Sequence, residues 1–293
     1  MKNIILVRHG ESCNNIIYDE IRRAHGADVS ADLLEVEEER MRTPDPGLSE
    51  RGKAQSRRLG EFIRSKGGLD KAMMGPIAQA VPNPAQPTAW QIYSSPMQRA
   101  LMTAREMVRA MDQPEVIVRV HPELYESGGC YNRDGGIPGL GKNEIEATYP
   151  GFMCDSGMED GWYYRKSSME TSKEFMERVD RLATWVRAQQ NNTVLIIHGN
   201  LISGLINRLV LGSEGNSLGN MGGLYVHCNT GFSHVQIIPE KLKVGDRKVS
   251  ITAVLSVNRI DHLIGEDELL SGNRPYDDHW VQEYTPLLEV KNN

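Results

Sequence analysis

The chain has 293 residues, room for one large domain or two small ones, and its 39% hydrophobic and 25% charged residues are ordinary for a globular protein with a sizeable core. Its 33 Lys and Arg against 39 Asp and Glu leave a net charge of −6, which argues against a protein built for nucleic acid or an anionic membrane, because both want a basic surface. No apolar run approaches the ~18 residues of a membrane span, and the N-terminal run is too short for a signal peptide. The 4 cysteines, Cys13, Cys130, Cys154 and Cys228, show neither CxxC spacing nor clustering with histidine, so free thiols in a reducing cytosol are expected rather than a zinc site or disulfides.

In chain order, Asn3–Val7 reads as a buried strand that runs into Arg8-His9-Gly10. A polar stretch follows to Pro46, with an acidic run from Glu35 to Glu39 expected on a solvated helix face. Ser49 to Lys66 predicts a helix capped by Ser49 and ended by Gly67-Gly68. Pro76, Pro82, Pro84 and Pro87 mark an insertion loop. Trp90–Ser94 is a second buried strand, and the Ser and Pro after it predict a helix starting near Arg99. Val116–Val120 is a third strand. Glycines recurring from Ser127 to Gly141 suggest a mobile loop and a candidate lid. Ser172 to Gln189 is an amphipathic helix, with Phe175, Val179, Leu182 and Val186 on one face. Thr193–Ile197 is a strand running into His198-Gly199-Asn200, and Leu201–Leu211 is helical. Two more strands fall near Ser233–Ile238 and Val249–Val257. This alternation predicts a three-layer α/β/α fold with a mostly parallel central sheet, in a single domain over 1–293 with insertions at about 16–46, 67–89 and 128–168.

Two strands end in His-Gly and a third leads by a short turn to Arg99. In a mostly parallel sheet their carboxyl ends meet at one edge, where open α/β sheets bind ligands. Two imidazoles and two guanidiniums there suit a tetrahedral oxyanion, since the arginine fork donates paired hydrogen bonds. Gly10 and Gly199 are expected to let the backbone approach a ligand closely.

Arg8-His9-Gly10-Glu11-Ser12 resembles the signature of the histidine phosphatase superfamily, the phosphoglycerate mutase-like group. Further segments in the same order strengthen the resemblance: Asn15; Leu48-Ser49-Glu50-Arg51-Gly52-Lys53-Ala54-Gln55; Ser94-Ser95-Pro96-Met97-Gln98-Arg99-Ala100; Leu124-Tyr125-Glu126; His198-Gly199; and Asn258-Arg259-Ile260-Asp261-His262-Leu263. The resemblance implies that His9 is the nucleophile, becoming phosphohistidine, and that Arg8, Arg99 and His198, with Asn15 beside them, bind the phosphoryl oxygens. It also implies that Glu126 is the general acid and base, with Glu123 as a rival, and that neither metal nor cofactor is needed. Asn200 either contacts substrate or caps the helix after it. The remaining histidines, His25, His121, His227, His234, His262 and His279, are expected to be structural or exposed.

The activity expected is hydrolysis of a phosphomonoester on a small molecule or phosphoprotein in the cytoplasm. A cofactor-dependent phosphoglycerate mutase is an alternative: His198-Gly199-Asn200 favours it, but Glu126-Ser127-Gly128-Gly129-Cys130 departs from the Glu-Arg-His-Tyr-Gly stretch of those mutases. A phospho-ligand-binding interaction protein with weak turnover is a second alternative. Arg22, Arg23, Arg133 and Lys142 could meet a second anionic group, or be ordinary surface charges.

Overall fold

The computed structural model describes residues 1–26, 29–74, 90–113, 115–164, 166–212, 224–244 and 247–272. The proline-rich loop expected around Pro76–Pro87, and His279, lie outside these residues. A seven-stranded sheet forms the centre, in the order β6-β3-β2-β7-β1-β8-β9. Its strands are β1 (Lys2–Arg8), β2 (Trp90–Ser94), β3 (Val118–Val120), β6 (Phe152–Cys154), β7 (Asn192–Ile197), β8 (Phe232–Val244) and β9 (Arg247–Arg259). From β6 to β1 the strands are parallel; β8 and β9 add an antiparallel edge. A small hairpin, β4 (Tyr131–Asn132) and β5 (Gly135–Gly136), stands apart from this sheet.

Alternation along β1 builds the layers. Ile5 and Val7 face one apolar core, with Leu59 and Ile63 of α3 (Glu50–Ser65) and Ala100, Ala104 and Met107 of α5 (Gln98–Met111). Ile4 and Leu6 face the other, with Phe175, Val179 and Leu182 of α7 (Ser172–Ala188) and Leu201 and Leu205 of α8 (Gly199–Leu211). A strand buried on both faces must be apolar at every position, which is why Ile4 to Val7 form an unbroken run. The expected three-layer α/β architecture is the one observed. Four shorter helices complete the described set: α1 (Ile17–His25), α2 (Ala31–Met41), α4 (Leu69–Met74) and α6 (Lys142–Thr148). The acidic run lies on α2, which pairs with α1 over a small cluster of Ile17, Ile21 and Leu34.

Two local expectations are corrected. The third strand begins at Val118, not Val116. Helix α5 is not capped by a serine: Met97 is its cap residue, and the Gln98 N–H is taken by Asp45 Oδ1, 2.8 Å away on a remote loop. Backbone contacts tie down part of the glycine-rich segment. Backbone hydrogen bonds tie Gly129 to Glu126 and Ile137 to Cys130, and the Tyr163 N–H binds the Pro138 carbonyl. Gly129 adopts φ +77°, and a Cβ there would fall 2.2 Å from the Tyr163 ring, so this glycine serves close packing.

Candidate active site

The parallel register brings the strand ends together. Arg8 lies opposite Ile197 across β1 and β7, and Ser94 lies opposite Ile196 across β2 and β7. The residues following these strands therefore converge: His9, His198 and, in the first turn of α5, Arg99. A cavity of about 770 Å³ opens there, lined by Arg8, His9, Asn15, Arg99, Glu126 and Asn200 among others. His198 lies behind its wall, fully buried, with its ring centroid 5.1 Å from that of His9.

The orientation of His9 is set by its hydrogen bonds. Nδ1 is 2.6 Å from the Gly10 carbonyl, which can only accept, so Nδ1 carries the proton. The Nε2 lone pair is left available, and Arg99 Nε donates to it at 3.3 Å. Burial, reinforced by Arg99 and Arg8, holds the His9 pKa well below its ordinary 6.5, so the ring is neutral at physiological pH. His198 is lowered in the same way, by burial first and then by Arg99 and His9. Its Nε2 meets Ser95 Oγ at 2.7 Å, and Nδ1 has no hydrogen-bond partner.

The segment Leu48–Gln55 clamps the residues after His9. Ser49 Oγ and Arg51 Nη1 donate to the Glu11 carboxylate at 2.7 and 3.0 Å, and Gln55 Oε1 accepts the Glu11 N–H at 2.8 Å. The Gly10 N–H donates to Thr103 Oγ1 of α5 at 2.9 Å. The expected reason for Gly10, close approach to a ligand, is corrected: the space its Cβ would take holds the Gly52 carbonyl at 2.6 Å. A Cβ on Gly52 would sit 2.0 Å from the Glu11 carbonyl oxygen, which is backbone and cannot move aside cheaply. Gly52→Ala is therefore expected to destabilise the fold by about 3 kcal/mol and to displace His9, read as a lower urea midpoint together with lost activity. An unchanged midpoint would refute this packing argument. Gly199, in contrast, has open space, with Arg8 Nε at 3.9 Å from where its Cβ would stand.

Glu126 and Glu123 separate clearly. The Glu126 carboxylate accepts the N–H groups of Ser127 at 2.9 Å, Leu201 at 3.2 Å and, on its other oxygen, Asn200 at 3.2 Å. It thus caps α8 from outside, against the positive end of the helix dipole. Burial outweighs these donors and Arg99, and the net direction of its pKa is upward from 4.5. The Glu123 carboxylate instead pairs with Arg181, at 2.5 Å. Asn200 is not the helix cap, which is His198; it sits in the first turn and its Nδ2 donates to Ser127 Oγ at 2.8 Å. Asn15 Oδ1 accepts from the Ser12 N–H and hydroxyl at 3.0 and 3.1 Å, in a 3-10 turn at Cys13–Ile16. Arg133 pairs with Glu39 and Lys142 lies near Glu146; neither lines this cavity, nor does Arg22 or Arg23.

Several neighbours escaped the sequence. Arg8 Nη1 donates to the carbonyls of His227 and Gly272, the latter at 3.1 Å. The tail that supplies Gly272 is pinned by Gln55 Nε2 to Ser271 Oγ and by Ser271 Oγ to Asn229 Oδ1. Arg178 of α7 is fully buried, with both Nε and Nη2 on the Glu170 carboxylate at 2.7 and 2.6 Å. Its Nη1 binds the carbonyls of Glu123 and Tyr125, both at 2.8 Å, so it holds the segment bearing Glu126. Arg178 follows Phe175 by three residues on the apolar face of α7, and a charged residue at that spacing was its sequence signal. Asp45 is a further buried carboxyl. Burial pushes it up to about 6 against the opposing pull of Arg99.

The chain is an α/β protein with helices on both faces of a mostly parallel sheet, whose strand ends gather two buried histidines and two arginines. A model of the histidine phosphatase superfamily (branch 1) matches residues 4–246, and the chain belongs to that superfamily. No curated protein matches it. Among solved structures it is similar to the ecdysone phosphate phosphatase of Bombix mori in complex with tungstate, at 19% identity and TM-score 0.50 over 87% of this chain and 92% of that one. It is also similar to a phosphoglycerate mutase from Bacillus anthracis, at 14% identity and TM-score 0.46 over 91% of this chain and 96% of that one. These likenesses concern the fold. The four cysteines are free, and among the described residues no helix is long and apolar enough to cross a membrane.

Proposed function

We propose that the protein is a metal-independent phosphatase that hydrolyses a phosphomonoester through a phosphohistidine at His9. The observation that carries the reading is one cavity holding a neutral imidazole, its Nδ1 committed to Gly10, and a carboxyl raised by burial. His9 Nε2 attacks phosphorus and the P–O bond to the alcohol breaks. Glu126 gives its proton to the leaving oxygen. Glu126 then takes a proton from water, whose oxygen attacks phosphorus and breaks the P–N bond. His9 and protonated Glu126 are restored and phosphate is released. Arg8, Arg99 and His198 Nδ1 stabilise the phosphoryl oxygens, with Asn15 beside them, and the charge of the two arginines takes the place of a metal. Full activity in the presence of a strong chelator is expected; loss of activity restored by a divalent cation would refute this part.

Two features favour a phosphatase over a mutase. Ser127-Gly128-Gly129-Cys130 departs from the mutase pattern, and the Asn200 amide that resembles it is engaged by Ser127. Conversion of 3-phosphoglycerate to 2-phosphoglycerate, primed by a bisphosphate, would overturn the choice. A burst of phosphate with no steady-state release would favour the binding protein instead. A cytoplasmic enzyme is the setting that its free thiols support.

The pH dependence follows from the two shifts. The Glu126 pKa is raised, so its acid form persists above the ordinary carboxylate range, and activity falls as pH rises through the raised value. The His9 pKa is lowered, so the nucleophile stays neutral as pH falls through 6.5. Glu126→Gln is expected to lower kcat on an alkyl phosphate by about 10²–10³-fold and to abolish the alkaline limb of the profile. The loss should be far smaller on p-nitrophenyl phosphate, whose leaving group needs no proton. Equal losses on both esters would remove Glu126 from the acid role.

A further inference from the structure

The phosphoryl group occupies a small part of a cavity of about 770 Å³, so the rest must receive what the phosphate is attached to. Its lining combines charged and exposed apolar side chains. Among the described residues, the arginines on its wall beyond Arg8 and Arg99 are Arg42 and Arg51. Arg51 is paired with the buried carboxylate of Glu11 at 3.0 Å. Arg42 donates to the Tyr131 hydroxyl at 2.9 Å and stacks over that ring at 5.0 Å. Glu170, also on the wall, is neutralised by Arg178.

The same cavity exposes large apolar side chains. Met169 is 50% exposed, Leu224 41% and Val226 36%. Tyr131 stands beside Met169 across Gly128, and Pro44 and Pro46 lie on the wall as well. Exposed apolar groups of this size clustered at a concave site mark where an apolar ligand is buried. Their continuity with His9 and Arg99 makes the leaving group the natural occupant.

We propose that the substrate is the monophosphate ester of a bulky apolar alcohol or phenol. The inference rests on the phosphatase reading above. The phosphate is held by the arginines and histidines, and the apolar body lies against Met169, Leu224 and Val226. A sugar bisphosphate or a phosphoglycerate would leave these side chains in water.

The test compares kcat/KM for 2-naphthyl phosphate and dodecyl phosphate with that for glycerol 3-phosphate and 3-phosphoglycerate. The apolar esters are expected to be preferred by about 100-fold or more, the scale set by burying an apolar body of that size. Within each of Met169→Asp and Leu224→Asp, the ratio of 2-naphthyl phosphate to glycerol 3-phosphate should fall by about 10-fold. Because each ratio is taken inside one protein, a general loss of folded enzyme cancels. Equal or greater activity on the polar esters, or a ratio that neither variant moves, overturns the apolar assignment and leaves the phosphatase reading standing. If no ester is hydrolysed, the phosphatase reading fails. Calorimetric binding of 2-naphthyl phosphate and glycerol 3-phosphate to His9→Ala protein then decides the apolar assignment separately: tighter binding of the naphthyl ester upholds it, and equal or weaker binding refutes it.

Discussion

His9→Ala is expected to lower kcat on a generic aryl phosphate by about 10⁴-fold or more, since removing a covalent nucleophile leaves only binding and charge stabilisation. The expectation rests on local geometry. The Gly10 carbonyl commits Nδ1 as a donor, and Arg99 is the group that meets Nε2. In wild-type protein quenched during turnover, label from a ³²P ester should be found on the protein, acid-labile and alkali-stable as a phosphoramidate is, and should be absent from the variant. A variant that keeps the wild-type rate, with an unchanged far-ultraviolet spectrum, would sink the phosphohistidine route. Label that survives acid would direct the search to a hydroxyl.

The second large effect is on folding. Arg178→Met should destabilise the protein by about 3–5 kcal/mol, because it leaves the Glu170 carboxylate, 1% exposed, as an uncompensated buried charge. It also removes the donors that hold the carbonyls of Glu123 and Tyr125, and the face-on contact between the guanidinium and the Tyr125 ring at 3.7 Å. Arg178→Met combined with Glu170→Leu removes the stranded charge and should recover much of the denaturation midpoint. It should not recover kcat, since the segment bearing Glu126 still lacks its anchor. The split between stability and turnover is the diagnostic: full recovery of both would show that Arg178 has no part in positioning Glu126.

Much of this site was legible because its signals are local. An apolar run buried on both faces ends in Arg8-His9, and the same grammar recurs at Ile197-His198. Parallel pairing then requires their carboxyl ends to lie together. The segment from Leu48 to Gln55 was recognisable as a pattern, but its purpose was not. Ser49, Arg51 and Gln55 hold Glu11, and Gly52 gives its backbone to Gly10 and Glu11. The Ser127–Gly141 glycines suggested motion where the structure uses at least one of them to seat an aromatic ring, because composition cannot tell a glycine that must turn from one that must make room.

The sequence by itself determined the central strands and the placing of Arg8, His9, Arg99 and His198 at or just beyond their ends, since period, punctuation and motif spacing act over a few residues. Tertiary structure alone set the different surroundings of Glu126 and Glu123, three positions apart on one irregular segment. One is turned to the N–H groups of α8 and the other to Arg181, by contacts more than fifty residues distant in the chain. It also decided that the tail at Ser271 and Gly272 completes the surroundings of Arg8, across a separation of 264 residues. The physical reason is the same in both cases: a side chain's direction in a loop is set by the partners that meet it in space, and no local preference of the backbone encodes them.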